Sequence, residues 1–96
     1  SAYETKDYST AITNLEGSLK YFSRNEMAYY KLAHAYWQQN RIDLAMKNFA
    51  KAYLLNGSSS RAARQYLDQL YKSTHQQSLV GVERVIDKAK EELKVS

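Results

Sequence analysis

One arrangement of residues occurs three times in this chain: a small or β-branched residue, three residues, a large apolar residue, two residues, and a small one. It appears at Ala11, Leu15 and Ser18, at Ala45, Phe49 and Ala52, and at Val82, Ile86 and Ala89. The step from the first copy to the second matches a helical-repeat period of about 34 residues, and the step to the third is slightly longer. Steps of four and three residues put all three side chains on one face of an α-helix. The small residues let a second helix approach to about 8 Å, the low end of interaxial distances, while the large one fills the space beside the contact. A unit repeated at this period cannot bury its apolar face alone. It must stack against its neighbours.

Nothing in the composition opposes long helices. There is no proline, and there are only three glycines, so the strongest helix breakers are absent or scarce. Apolar periodicity predicts helices over 7–22, 26–39, 42–55, 61–72 and 78–93. Asp7 is the expected N-cap of the first. Asn40 suits a left-handed helix end, Gly57 is expected to stop the third helix at positive φ, and residues 58–60 supply N-caps for the fourth. Residues 73–77 are polar and aperiodic and read as a loop, after which Ser78 caps the last helix. Gly17 and Gly81 fall within helical patterns, where they suit close helix approach.

The segment from Tyr29 to Gly57 adds a second signal. Tyr29, Leu32, Ala33 and Tyr36 on one helix are followed by Ala45, Phe49 and Ala52 on the next. With these residues and this period, the chain resembles the tetratricopeptide repeat (TPR) family over nearly its full length. The resemblance implies an all-α fold of about five helices, with antiparallel helical hairpins stacked as a TPR-like right-handed superhelix. Residues 1–96 would form one domain, comprising a half repeat (3–25), a full repeat (26–59) and a degenerate capping repeat (60–94). In the last of these, Ala63, Tyr66, Leu67 and Leu70 take the places of Tyr29, Leu32, Ala33 and Tyr36. Gly57 stands where the family usually closes with proline. The chain starts without an initiator Met, at the second helix of a repeat, so the expectation is a C-terminal fragment of a longer array.

The resemblance also implies a function, namely non-catalytic binding of a peptide or partner protein in a concave groove, as an adaptor or scaffold. The first helix of each repeat lines that groove in the family. At about 100° per residue, the face beside the core stripe carries Met27, Tyr30, His34, Trp37 and Gln38. One repeat further along, the corresponding face carries Arg61, Arg64, Asp68 and Tyr71, with Lys72 alongside. The expected groove is an aromatic strip next to a basic one, suited to a peptide with an apolar anchor and a carboxylate. The set of residues that clamps a C-terminal carboxylate in some members does not carry over. Lys31 and Gln65 replace its Asn and Arg, and only Arg61 fits. The alternative function is structural, with self-association through the open helix face of residues 7–22.

Other classes find little support. The net charge is +4, but the basic residues are spread over several faces and interrupted by acids, so no nucleic-acid partner is expected. No apolar run approaches the roughly 18 residues of a membrane span. The absence of cysteine rules out disulfides and thiolate metal sites without indicating a compartment. His34 and His75 are the only histidines and stand far apart in the chain. No metal-ligand spacing, phosphate loop, nucleophile elbow or paired-carboxylate arrangement is present. No metal, cofactor or catalytic residue is expected.

Overall fold

A computed structural model describes residues 2–21 and 25–95, with side chains placed for 8–21 and 25–93. The described residues form five α-helices and no strand: α1 (Ala2–Tyr21), α2 (Glu26–Gln38), α3 (Ile42–Leu54), α4 (Ser60–Thr74) and α5 (Val82–Val95). The expected break at 22–24 and the side chains of Asp7 and Lys94 lie outside what is described.

Helix ends follow local chemistry, often at neighbouring residues to those expected. α1 starts at Ala2, so Asp7 is an interior residue rather than an N-cap; no breaker precedes it, and the helix runs on upstream. Asn25 caps α2, its Oδ1 accepting from the Ala28 amide at 3.2 Å. At the other end of α2, Asn40 takes φ 61°, as expected. The Arg41 amide then donates to the Tyr36 carbonyl (2.9 Å) and the Asn40 amide to that of Trp37 (2.9 Å), the Schellman closure that satisfies the last carbonyls.

After α3 the left-handed residue is Asn56, at φ 56°, and not Gly57. Gly57 has another reason to be small. Its amide and that of Ser59 donate to Glu26 Oε2 at 3.1 and 3.0 Å, and a Cβ at Gly57 would collide with that carboxylate. Ser59 is the N-cap residue of α4 but makes no side-chain cap bond; the Glu26 carboxylate takes that place, favoured by the positive end of the helix dipole.

α4 extends through Ser73 and Thr74, the first part of the expected loop. Their hydroxyls donate back to the Leu70 carbonyl at 2.8 and 3.1 Å, which lets polar residues remain helical. α5 begins at Val82 rather than at 78 or 79. Gly81, at φ +94°, lies outside the helix, and the Ser78 hydroxyl accepts from the Val80 amide in a local turn (3.1 Å). Gly17 does sit within α1, but a Cβ there would meet no atom within 4 Å. It is not a point of close approach.

α3 is the hub, packing against α2, α4 and α5, while α1 packs on α2 and stands off from α3. α1 and α2 run antiparallel, since Tyr36 reaches Glu16 and Gln39 reaches Ser9. α2 and α3 are likewise antiparallel, with Lys51 over the Tyr29 ring at 5.4 Å. α5 lies along α3, held at its rim by Lys51–Glu92 (2.8 Å) and Lys47–Glu92 (3.5 Å), and does not form a close hairpin with α4. The core gathers Leu32, Ala33, Ala45, Phe49, Ala52 and Leu67, all nearly inaccessible. Asn48, buried on α3, satisfies its amide by donating to the Leu44 carbonyl (2.8 Å). The smallest dimension of the molecule is 22 Å, the width of about two helices.

Candidate functional site

Tyr30, His34 and Trp37 follow each other at steps of four and three along α2, so their rings share one face. The His34 ring lies 4.7 Å from that of Tyr30 and 6.1 Å from that of Trp37. Phe49 of α3 lies beneath all three, at 5.1–6.3 Å. From α4, Tyr66 closes on the same rings, 4.8 Å from His34 and 5.6 Å from Trp37, and stacks on Phe49 at 5.3 Å. Phe49 is sealed, whereas Tyr30, His34, Trp37 and Tyr66 are half-buried. The aromatic strip thus has a fixed floor and an open edge. Burial lowers the His34 pKa, so the imidazole is neutral at pH 7 and presents a ring rather than a charge. Burial also raises the Tyr30 phenol, with Tyr66 adding to the effect.

Tyr66 belongs to this strip, although its spacing places it in the core signature. The basic strip lies elsewhere. Arg64 donates from Nε to Asp68 Oδ1 at 2.9 Å, and its guanidinium covers the Tyr53 ring at 5.1 Å. It also borders a cavity of about 580 Å³ with Leu79, Val80 and Arg84. Two residues along a helix correspond to about 160° of rotation, so Tyr66 and Arg64 occupy nearly opposite sides of α4. The aromatic and basic strips do not line one groove.

Tyr71 is withdrawn from the expected surface altogether. It is 5 % exposed, its hydroxyl donates to the Val80 carbonyl at 2.7 Å, and its ring stacks on His75 at 3.8 Å. The cause is the segment before α5, which folds back over α4. A Cβ on Gly81 would come within 2.6 Å of the Tyr71 hydroxyl, so the glycine makes this closure possible. Met27, Gln38, Arg61 and Lys72 keep surface open to solvent, and Asp68 is half-buried in its pair with Arg64.

Two grooves flank α2. One, of about 480 Å³, runs between α1 and α2 and is lined by Tyr8, Ala11, Leu15, Met27, Tyr30 and His34. It is almost wholly apolar; Asn14 and Lys31 are its polar edge. Through Tyr30 and His34 it continues into the aromatic strip. The other, of about 690 Å³, crosses Tyr29, Leu32 and Tyr36 where α1 stands off from α3. Its rim is charged, but the charges meet their own partners. The Tyr36 hydroxyl donates to Glu16 at 2.8 Å, and Lys47 and Lys51 hold Glu92. The Tyr36 phenol is pushed up to about 12, first by burial and then by the Glu16 carboxylate.

Among the described residues no cluster of three or more His, Cys, Asp or Glu is placed to hold a metal, and no helix is long and apolar enough to cross a membrane. His34 sits in the strip, whereas His75 ends α4, with Nδ1 in hydrogen-bonding range of Thr74 Oγ1 (2.8 Å) and the Tyr71 carbonyl (3.1 Å). No protein-family model matches the chain, and no curated protein or solved structure matches it either.

Proposed function

We propose that this chain is a non-catalytic protein–protein interaction module, an adaptor or scaffold segment of a TPR-like right-handed helical stack. It binds a peptide or partner protein through the α1–α2 groove and the adjoining aromatic strip. The observation that carries this reading is the continuity of the two. Tyr30 and His34 line the groove and also rest on Phe49. Large rings held on a rigid floor with one open edge are the chemistry of binding anchors, because they offer area without much side-chain entropy to lose. A concave, mostly apolar lining with a few polar groups at its edge is the usual form of a binding site. The pairing of Arg64 with Asp68, and of Lys47 and Lys51 with Glu92, favours a protein partner over a polyanion.

The test is selection from a random peptide library, followed by titration against three variants. Selected peptides are expected to weaken at least about tenfold on Met27→Glu and on Trp37→Ala, a loss of roughly 1.4 kcal/mol. They should be indifferent to Arg64→Ala, which sits on the far side of α4. A library that yields no binder, or binders that ignore both groove variants, would refute the reading.

A further inference from the structure

The repeated motif says what shape of ligand the groove is built for. A shift of one repeat carries Ala11, Leu15 and Ser18 onto Ala45, Phe49 and Ala52. The α3 set is completely buried because two helices cover it. α2 lies antiparallel along it, with Tyr30, His34 and Trp37 against Phe49, and α4 closes the other side with Tyr66. The α1 set is only half-buried. One of its two covers is present, since α2 stands to α1 as α4 stands to α3: it is the next helix in the chain and packs directly on it. The cover in the position of α2 has no counterpart among the described helices, and the 480 Å³ groove of Tyr8, Ala11 and Leu15 opens on that side.

We propose that the α1–α2 groove is a cradle for an amphipathic α-helix of a partner chain, laid antiparallel along α1. This rests on the interaction-module reading above and adds the form and chemistry of the ligand. The α2 helix shows what suits such a face: large apolar or aromatic residues and a small one at i, i+3, i+4 and i+7, as in Tyr29, Leu32, Ala33 and Tyr36. A helix of the length of α2, 13 residues, spans about 20 Å and covers the three motif positions. Among the described residues, Lys31 is the one formally charged side chain lining the groove. It selects a helix with an acidic residue beside its apolar stripe over one with a basic residue there.

The probe is a labelled, hydrocarbon-stapled peptide of residues 25–40 carrying Lys31→Glu, titrated into the intact chain. Its control carries Leu32→Pro in place of the staple and cannot be helical. Saturable one-to-one binding is expected, weakened at least about tenfold by the control peptide and by Met27→Glu in the protein. Val80→Glu, at an exposed site remote from the groove, should leave it unchanged. Met27 is 44 % exposed, so its variant should fold; Ala11→Arg, which fills the groove from α1, is the second variant, and both are checked by far-UV circular dichroism.

Lack of saturable binding, or equal affinity for the non-helical control, overturns the helical ligand. If library peptides still bind in a Met27-dependent way, the interaction-module reading survives that failure. Sedimentation is the remaining arm. A wild-type dimer that Met27→Glu dissociates would make the occupant a second copy of this chain, and the partner-chain proposal would fall.

Discussion

Ala45, Phe49 and Ala52 of α3 are sealed from solvent, whereas Ala11, Leu15 and Ser18 of α1 carry the same motif and remain half open. The residues are alike, but their surroundings differ. α3 has helices on three sides, and α1 has α2 alone as a close neighbour among the described helices. A motif of this kind specifies a surface that accepts a helix. Whether the surface becomes core or binding site depends on how many helices reach it. The hub is therefore where stability resides, and the end helix is where an interaction can be added.

The sharpest test of that contrast is a pair of truncations. Phe49→Ala should cost about 3–5 kcal/mol, since it opens a cavity under four half-buried rings. Leu15→Ala should cost less than about 2 kcal/mol, below the range for a fully buried leucine. Urea unfolding followed by circular dichroism measures both, and equal costs would erase the distinction between hub and end. Enlarging the small residues probes the same contrast from the other side. Ala45→Leu should lose about 1–3 kcal/mol through overpacking, while Ala11→Leu, facing the groove, should stay within about 0.5 kcal/mol of wild type.

Next comes the link between repeats. Glu26→Ala removes the acceptor for the Gly57 and Ser59 amides and should cost about 1–2 kcal/mol, as losing a helix N-cap does. Gly57→Ala should cost no more, because the displaced carboxylate can swing away. Hydrogen exchange in the first turn of α4 should rise in both.

The smallest effects are in pH. The His34 pKa is lowered from 6.5 by burial, so the unfolded chain takes up that proton first as pH falls. Its contribution is complete above about 6.5 and declines as pH drops through the window beneath. His34→Gln should flatten this slope, and a ligand covering the groove should steepen it. The Glu92 carboxyl is held below 4.5, chiefly by the hydrogen bond from Lys51. The contact between α3 and α5 should therefore persist above the ordinary carboxylate range and weaken as pH falls below it. Both groups are partly exposed, so the Glu92 effect should shrink in high salt.

Much of the architecture was legible in the chain. The helices expected at 26–39 and 42–55 occur at Glu26–Gln38 and Ile42–Leu54, because alternation of apolar residues at helical spacing is a local property. The left-handed turn at Asn40 was legible for the same reason. The errors share a different cause. Gly57 is small because of Glu26, a full repeat earlier in the chain, and Tyr71 is covered because residues 79–81 fold back on it. Tyr66 turns toward α2 while Arg64 turns toward Tyr53. Periodicity gives the angle between two side chains on one helix, but not which neighbour each angle meets.

By itself, then, the sequence determined an all-helical chain, the faces that must be covered, and the aromatics gathered on one side of α2. Those follow from short-range sterics and from apolar spacing along each helix. Tertiary structure alone decided that α5 lies along α3, that the aromatic and basic strips part company across α4, and that the repeated motif is core in α3 but an open groove in α1. Burial is a property of neighbours in space, and the same three residues become interior or surface according to whether a second helix arrives.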